Sequence, residues 1–222
     1  MISRLQLARS IDHTLLKPEA VPGQIETLCR EALEYEFASV CVNSVNVTQC
    51  RSLIPSNSAV KVCSVVGFPL GAMARDAKAS ETSIAIDGGA NEIDMVADLG
   101  AIGAEDWERL SRDVGAVRKA SQGVLLKVIL ETSLIGLVSA TKAARVAVDA
   151  GADYVKTSTG FHNTGGATIE AVRALVSAVD GRAKVKASGG IRDLGTAMAM
   201  LDAGASRIGA SAGVAILSEL AD

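Results

Sequence analysis

The chain has 222 residues, and its 22 basic and 25 acidic side chains give a formal net charge of −3. It contains no basic block and no stripe of interleaved aromatic and basic residues, so we expect no nucleic-acid partner. The densest apolar run, residues 124–138, is interrupted by Lys127 and Glu131 and is not expected to span a membrane. Arg4 and Arg9 precede any long apolar run, unlike the pattern of a secretory signal.

Predicted strands and helices alternate along the chain. β-Branched apolar runs predict strands near 11–15, 38–43, 60–66, 92–96, 124–130, 153–157, 183–187 and 206–210. Ala-rich segments of helical period predict helices near 22–35, 45–54, 74–87, 105–120, 137–149, 167–179, 193–203 and 212–220. Eight such units without a hairpin signal favour a (β/α)8 TIM barrel, an α/β fold, as one domain over residues 1–222. An open flavodoxin-like sheet is the alternative.

A short repeat places equivalent positions on three strands. It reads DGGANEID at 87–94, DAGADYVK at 149–156 and DAGASRIG at 202–209. In each copy a helix is expected to end at the glycine before a short strand begins. The fifth residue after that glycine is Asp94, Lys156 or Gly209, and we expect all three near the carboxyl ends of their strands.

Three lysines interrupt apolar strand patterns: Lys127, Lys156 and Lys186. Any one of them alone could face solvent. All three are expected at strand carboxyl ends, together with Asp94 and Asp12, where the reacting residues of such barrels lie. Crowded cations and partial desolvation lower the pKa of an amine and leave a neutral nucleophile, as Schiff-base chemistry requires. The pattern does not indicate which lysine is the nucleophile.

Glycine-rich loops follow the last two predicted strands. KASGGIR (186–192) and RIGASAG (207–213) occupy the places where barrels of this kind bind phosphate through backbone N–H groups. TSTGFHNTGG (157–166) is a third polar loop, directly after Lys156. These loops predict a phosphate site, with the hydroxyls of Ser188 and Ser211 available to it.

The four cysteines (residues 29, 41, 50 and 63) show neither CxxC spacing nor a histidine at ligand spacing. We therefore expect free buried thiols, no metal or cofactor, and a reducing compartment, the cytoplasm. Of the two histidines, His13 is predicted to be packed and hydrogen-bonded, and His162 to be an exposed loop residue. Trp107 is predicted to begin an amphipathic helix.

Motifs across nearly the whole chain resemble the deoxyribose-phosphate aldolases. They are IDHTLLKP (11–18), GFPLG (67–71), EIDMV (92–96), KVILET (127–132), YVKTSTGF (154–161), GGAT (165–168), KASGGIR (186–192) and RIGAS (207–211). The resemblance implies metal-independent cleavage of 2-deoxyribose 5-phosphate to acetaldehyde and glyceraldehyde 3-phosphate. We also expect a homodimer or homotetramer, formed through helix faces.

The resemblance assigns roles to individual residues. Lys156 matches the Schiff-base lysine, Lys186 the second lysine that perturbs it, and Asp94 the acid that moves protons with a water. Lys127 and Asp12 match supporting polar residues. The residues that match the phosphate site are Gly160, Gly189, Gly190, Gly209 and Ser211.

Four departures from the family pattern leave the lysines intact. Ala212 replaces the second of two serines, Ser44-Val45-Asn46 replaces a segment with Pro and Tyr, and Ala97-Asp98 replaces Ile-Asn. The chain ends Leu220-Ala221-Asp222, where some members carry a helpful Tyr. We expect these changes to affect phosphate affinity and turnover. A phosphosugar isomerase or epimerase and a non-catalytic phosphosugar-binding protein remain the alternatives.

Overall fold

A closed barrel of eight parallel strands forms the centre of the protein. The computed structural model describes residues 2–220; the predictions for Met1, Ala221 and Asp222 lie outside the described residues. The strands pair in chain order, and β8 closes onto β1. They are β1 Ile11–Leu15, β2 Ser39–Val42, β3 Lys61–Val66, β4 Glu92–Val96, β5 Leu125–Ile129, β6 Tyr154–Lys156, β7 Lys184–Ser188 and β8 Arg207–Ala210. The predicted (β/α)8 architecture is confirmed.

Helices surround the barrel. They are α1 Arg4–Ala8, α2 Pro22–Glu34, α3 Val47–Leu53, α4 Arg75–Asp87, α5 Leu99–Gly103, α6 Trp107–Ala120, α7 Thr132–Asp149, α8 Ile169–Val179, α9 Leu194–Asp202 and α10 Gly213–Ser218, with a 3-10 turn at Ser44–Asn46. Within residues 2–220, no helix is both long enough and apolar enough to cross a membrane.

Two helical predictions need correction, and two short helices were missed. The short helices α1 and α5 were not predicted, because five residues are too few to display a helical period. The helix predicted from residue 137 begins at Thr132, and Gly136, with φ 74° and ψ 162°, interrupts it. The helix predicted over 45–54 is the 3-10 turn followed by α3.

The apolar core lies between the barrel and its helices. Every residue of β2 and β4 is buried, as expected for parallel strands covered on one face by helices and closed on the other. The helix α7 presents Ala140, Ala143, Ala144 and Ala147 to the barrel. Their small side chains allow the helix axis to approach the strands closely. The apolar side chains thus pack between the strands and the helices, and the buried polar groups lie inside the barrel.

The charged residues lie deeper in the barrel than predicted. Lys127, Asp94 and Lys186 are each the third residue of a five-residue strand, and Asp12 is the second residue of β1. Only Lys156 is the last residue of its strand. The prediction of a strand carboxyl end is confirmed for Lys156 and wrong for the other four, because each of their strands continues for two or three residues beyond the charged residue.

Candidate active site

Asp94 contacts all three lysines inside the barrel. Its Oδ1 accepts a hydrogen bond from Lys127 Nζ at 2.8 Å, and its Oδ2 accepts from Lys156 Nζ at 2.8 Å and from Lys186 Nζ at 2.7 Å. Burial alone raises the pKa of Asp94, but the three ammonium groups outweigh burial and hold that pKa well below its usual range. Asp94 is therefore an ionised carboxylate at the centre of the network.

Asp12 is the second buried carboxylate of the network. Its Oδ2 lies 2.5 Å from Lys186 Nζ and 3.9 Å from Lys127 Nζ. Its Oδ1 accepts hydrogen bonds from Ser39 at 2.7 Å and from Arg207 at 2.6 Å. Burial raises the pKa of Asp12, but these cations reverse the effect and lower it below its ordinary value.

The three lysines differ in how many carboxylates they contact. Lys186 lies within 2.7 Å of two carboxylates, and Lys127 lies 2.6 Å from Glu92 and 2.8 Å from Asp94. Burial lowers the pKa of both amines, but the carboxylates outweigh it and raise each pKa above the ordinary lysine value. Lys156 pairs with Asp94 alone among the residues at 2–220. It is the least constrained of the three amines.

A cavity of about 260 Å³ opens above Lys156. Lys156 lines it, whereas Lys127 and Lys186 do not. All six residues predicted for the phosphate site also line it: Gly160, Ser188, Gly189, Gly190, Gly209 and Ser211. Lys156 is therefore the one lysine of the three that the cavity exposes, and the glycine loops lie at the same opening of the barrel.

Backbone N–H groups in the glycine loops are free to bind an anion. Across residues 2–220, the N–H groups of Gly160, Gly189, Gly190 and Ser211 donate to no protein acceptor. Gly189 and Gly190 have φ values of 90° and 81°, a left-handed conformation that favours glycine. Convergent unpaired N–H groups are the usual binding elements for a phosphate group.

The hydroxyl of Ser188 is directed away from this role. It donates to the carbonyl of Ser158 at 2.5 Å, so its proton is not available for a hydrogen bond to a phosphate oxygen. Two cations that were not assigned to the site, Lys17 and Arg192, line the same cavity. Both lie within quoted motifs, Lys17 in IDHTLLKP and Arg192 in KASGGIR, and the position of Arg192 next to a glycine-rich loop was the available signal.

Glu131 fixes the loop that follows Lys156. Its carboxylate accepts from the Thr159 N–H at 3.1 Å and from the Thr159 hydroxyl at 2.5 Å, and the residue is buried with φ 56°. This role was not predicted. In the sequence, Glu131 is a glutamate between a predicted strand and a predicted helix. Such a glutamate looks like an ordinary helix-capping residue, so its position did not indicate this role.

Glu92 and Arg207 also belong to the network and were not predicted. Glu92 is the first residue of β4 and Arg207 the first residue of β8. The only indication in the sequence was that each is a charged residue at the start of an otherwise apolar strand. Such residues usually face solvent, and these two contact Lys127 and Asp12 instead.

The cysteines are free and buried, as predicted. The ligand atoms of Cys41, Cys63 and Asp94 lie within 4.8 Å of one another, and the Cys63 thiol donates to Asp94 Oδ1 at 3.2 Å. Burial raises the pKa of Cys63 well above the ordinary thiol value. A divalent cation here would stand beside Lys127, which already binds the same carboxylate oxygen. The donor set therefore does not fit a metal ion.

The histidines lie outside the network. His13 Nε2 lies 2.7 Å from a carboxylate oxygen of Glu31, and its ring packs 4.8 Å from that of Phe37, as predicted. His162 is half-buried in its loop rather than exposed, and its Nδ1 contacts the Thr164 hydroxyl at 2.9 Å. Trp107 begins α6, as predicted.

Comparison with known proteins assigns the chain to a family. The family model for DeoC/LacD family aldolases matches residues 7–219. The chain belongs to the DeoC/LacD aldolase family. Relatives named deoxyribose-phosphate aldolase include one from Exiguobacterium sibiricum, 55% identical over 96% of each chain, and one from Brevibacillus brevis, 50% identical over 96% of each chain. The resemblance drawn from the sequence motifs is confirmed.

Solved structures of DeoC/LacD-like barrels superpose closely. A Coccidioides immitis structure matches with a TM-score of 0.95 at 41% identity, over 98% of this chain and 87% of that one. The Aeropyrum pernix deoxyribose phosphate aldolase, described as tetrameric, matches with a TM-score of 0.86 at 38% identity, over 97% of this chain and 91% of that one.

Proposed function

We propose that this aldolase cleaves 2-deoxy-D-ribose 5-phosphate reversibly to D-glyceraldehyde 3-phosphate and acetaldehyde through a Schiff base on Lys156. One observation carries the proposal. Of the three lysines in the network, Lys156 alone lines the cavity, where it holds a single carboxylate partner. The carboxylates around Lys127 and Lys186 raise the pKa of both amines and hold them in the charged form, so neither is available as a neutral nucleophile.

Substrate binding would use both ends of the cavity. The phosphate group fits the free N–H groups of Gly189, Gly190 and Ser211, with Arg192 as a nearby cation. The aldehyde carbon then lies toward Lys156. This orientation explains why the glycine loops and the network open into the same space.

The chemistry begins with the neutral amine of Lys156, which attacks C1 of the sugar. Loss of water from the carbinolamine leaves an iminium, which accepts the electron pair of the C2–C3 bond as the C3 hydroxyl loses its proton. Glyceraldehyde 3-phosphate departs, and the enamine is protonated and hydrolysed to acetaldehyde. Because the pKa of Asp94 is lowered, this carboxylate is a weak base. It would orient a water and Lys186, which pass the proton.

Borohydride trapping tests the proposal. Reduction in the presence of acetaldehyde or deoxyribose 5-phosphate should add mass irreversibly at Lys156, with or without a chelator. Lys142→Met, which removes an exposed lysine, is the control and should still be labelled. An adduct at Lys186 or Lys127 with Lys156 unmodified would overturn the assignment. Absence of any adduct would favour a phosphosugar isomerase, which needs paired acid–base groups rather than an amine.

We further propose a cytoplasmic enzyme that assembles as a homodimer or homotetramer. Four buried free thiols support a reducing compartment. The tetrameric description of the Aeropyrum pernix relative supports self-association. Light scattering of the purified chain would measure the mass in solution.

A further inference from the structure

The charged network extends through the barrel to the end opposite the cavity. Glu92 and Arg207 are the first residues of β4 and β8, and their side chains are 6% and 12% exposed, whereas those of Lys127, Asp12 and Lys186 are fully buried. Lys156 ends β6 at the other side. The network therefore has one end at each opening of the barrel.

Contacts link the two ends without a gap. Arg207 Nη1 lies 2.6 Å from Asp12, and Nη2 lies 3.4 Å from Glu92 Oε1. Glu92 Oε2 lies 2.6 Å from Lys127 Nζ. Asp12 in turn holds Lys186, and both lysines meet Lys156 at Asp94.

The charges of the network balance only in one protonation state. Lys127, Lys186 and Arg207 supply three cations, and Asp12, Glu92 and Asp94 supply three carboxylates. A neutral Lys156 leaves this interior without net charge. A protonated Lys156 gives the network one cation more than it has carboxylates.

We infer that Glu92 and Arg207 are positioning residues that set the charge of the Schiff-base lysine from the far end of the barrel. Arg207 favours the neutral form of Lys156, because it neutralises Asp12 and so prevents that carboxylate from retaining a proton on the lysines. Glu92 stabilises the neighbouring cation Lys127. The inference rests on the proposed function, since it gives Lys156 the nucleophilic role.

Other polar groups face the network from the remaining strands. They are Ser39 and Cys41 on β2, Cys63 on β3 and Tyr154 on β6, with Glu131 at the end of β5. The hydroxyls and the Cys63 thiol add no charge, and Glu131 is bonded to Thr159. None of these groups changes in the variants below, so their influence is constant.

Two substitutions that each remove one charge should shift the pH–rate profile in opposite directions. Glu92→Gln removes a carboxylate, so the amine loses its proton more readily and the acid limb of kcat/KM moves to lower pH. Arg207→Gln removes a cation, and the limb moves to higher pH. For a charge about 10 Å away along the strands and an effective dielectric constant of about 20, each shift is about one pH unit.

Two further variants separate charge from packing. The double variant Glu92→Gln with Arg207→Gln removes one charge of each sign, so the midpoint of its acid limb should lie between those of the two single variants and close to that of the parent. Lys184→Gln is a matched control, because Lys184 is an exposed cation at the same end of the barrel, is not part of an ion pair within residues 2–220, and should leave the midpoint unchanged. Single-turnover cleavage measures the pH midpoint of the acid limb for the folded protein alone, even if a variant is partly unfolded.

The outcomes are distinct from those that test the proposed function. Opposite shifts, cancelled in the double variant, support the inference. Shifts of the same sign, or no shift in variants that still form the Lys156 adduct, overturn it. An unmodified Lys156 in the parent enzyme would instead overturn the proposed function.

Discussion

At the scale of single residues, the number of carboxylate partners distinguishes lysines that look alike in sequence. Lys127, Lys156 and Lys186 all follow apolar strand residues, yet Lys156 has one partner and the others have two or more. An amine held by two ionised carboxylates stays protonated. The same side chain with one partner can act as a nucleophile after losing its proton.

Lys186→Leu tests this difference. The change removes a cation from both Asp12 and Asp94, so Asp94 should hold Lys156 more strongly in its charged form. We expect at least a tenfold fall in cleavage at pH 7 and an acid limb displaced toward higher pH by about one unit. A pH–rate profile measures both. Lys142→Leu, at the surface, is the control. An unchanged profile in Lys186→Leu would contradict the assignment of Lys186.

Ala212→Ser tests the departure next to Ser211. A hydroxyl at residue 212, which precedes α10, can add a hydrogen bond to a phosphate oxygen. A bond to a charged group contributes about 1.5 kcal/mol, so affinity should rise roughly tenfold. Kinetics should show the gain for deoxyribose 5-phosphate and none for deoxyribose. Equal gains on both sugars would mean that the change acts on stability or on the lysines.

At the scale of elements, two loops touch through their backbones. A Cβ on Gly166 would lie 2.1 Å from the Gly189 carbonyl oxygen, closer than any real contact. The loop before α8 therefore fixes the position of the loop after β7. This contact gives the GGAT motif a physical purpose, since a larger residue would move the free N–H groups.

Gly166→Ala should weaken binding of the phosphorylated substrate. The methyl group must displace Gly189, so we expect KM to rise at least tenfold for deoxyribose 5-phosphate and much less for deoxyribose. Gly115→Ala is the matched control, because a Cβ there meets nothing within 4 Å in α6. It should raise stability by about 0.5–1 kcal/mol. If KM in Gly166→Ala stayed unchanged, the two loops would not be coupled.

The sequence predicted the elements better than their contacts. All eight strands lie within about two residues of their predicted bounds, because β-branched runs end at glycine-rich turns. The short helices α1 and α5 and the break at Gly136 show no periodic signal. Glu92 and Arg207 could not be assigned, because sequence spacing does not show which charges from strands distant in the chain will meet inside a barrel.

At the scale of the whole molecule, the buried carboxylates link stability to pH. The pKa values of Asp12 and Asp94 are lowered in the folded protein, whereas an unfolded aspartate titrates near 3.9. Their contribution to the free energy of unfolding is therefore complete above the unfolded value and is lost as the pH falls toward the folded values. We expect a steep loss of stability below about pH 4.

Urea unfolding followed by the fluorescence of Trp107, the single tryptophan, measures this loss. Between pH 5 and pH 3, the free energy of unfolding should fall more steeply for the parent than for Asp12→Asn. The variant lacks one of the lowered carboxylates and should be less stable already at pH 7, since it leaves Lys186 and Arg207 with one carboxylate fewer. Parallel curves for the two proteins would show that Asp12 does not contribute.

The closed barrel with charges at its centre also restricts how this enzyme can change by mutation. Removal of one partner from a buried ion pair costs about 3–5 kcal/mol, a large part of a typical stability of about 5–15 kcal/mol. Simultaneous loss of one cation and one adjacent carboxylate, such as Arg207 with Glu92, leaves the net charge of the interior unchanged, and Asp12 and Lys127 each keep another partner. We therefore expect functional variants of this barrel interior to carry paired substitutions that remove one cation and one carboxylate together. Functional variants with only one of these charges substituted should be rare.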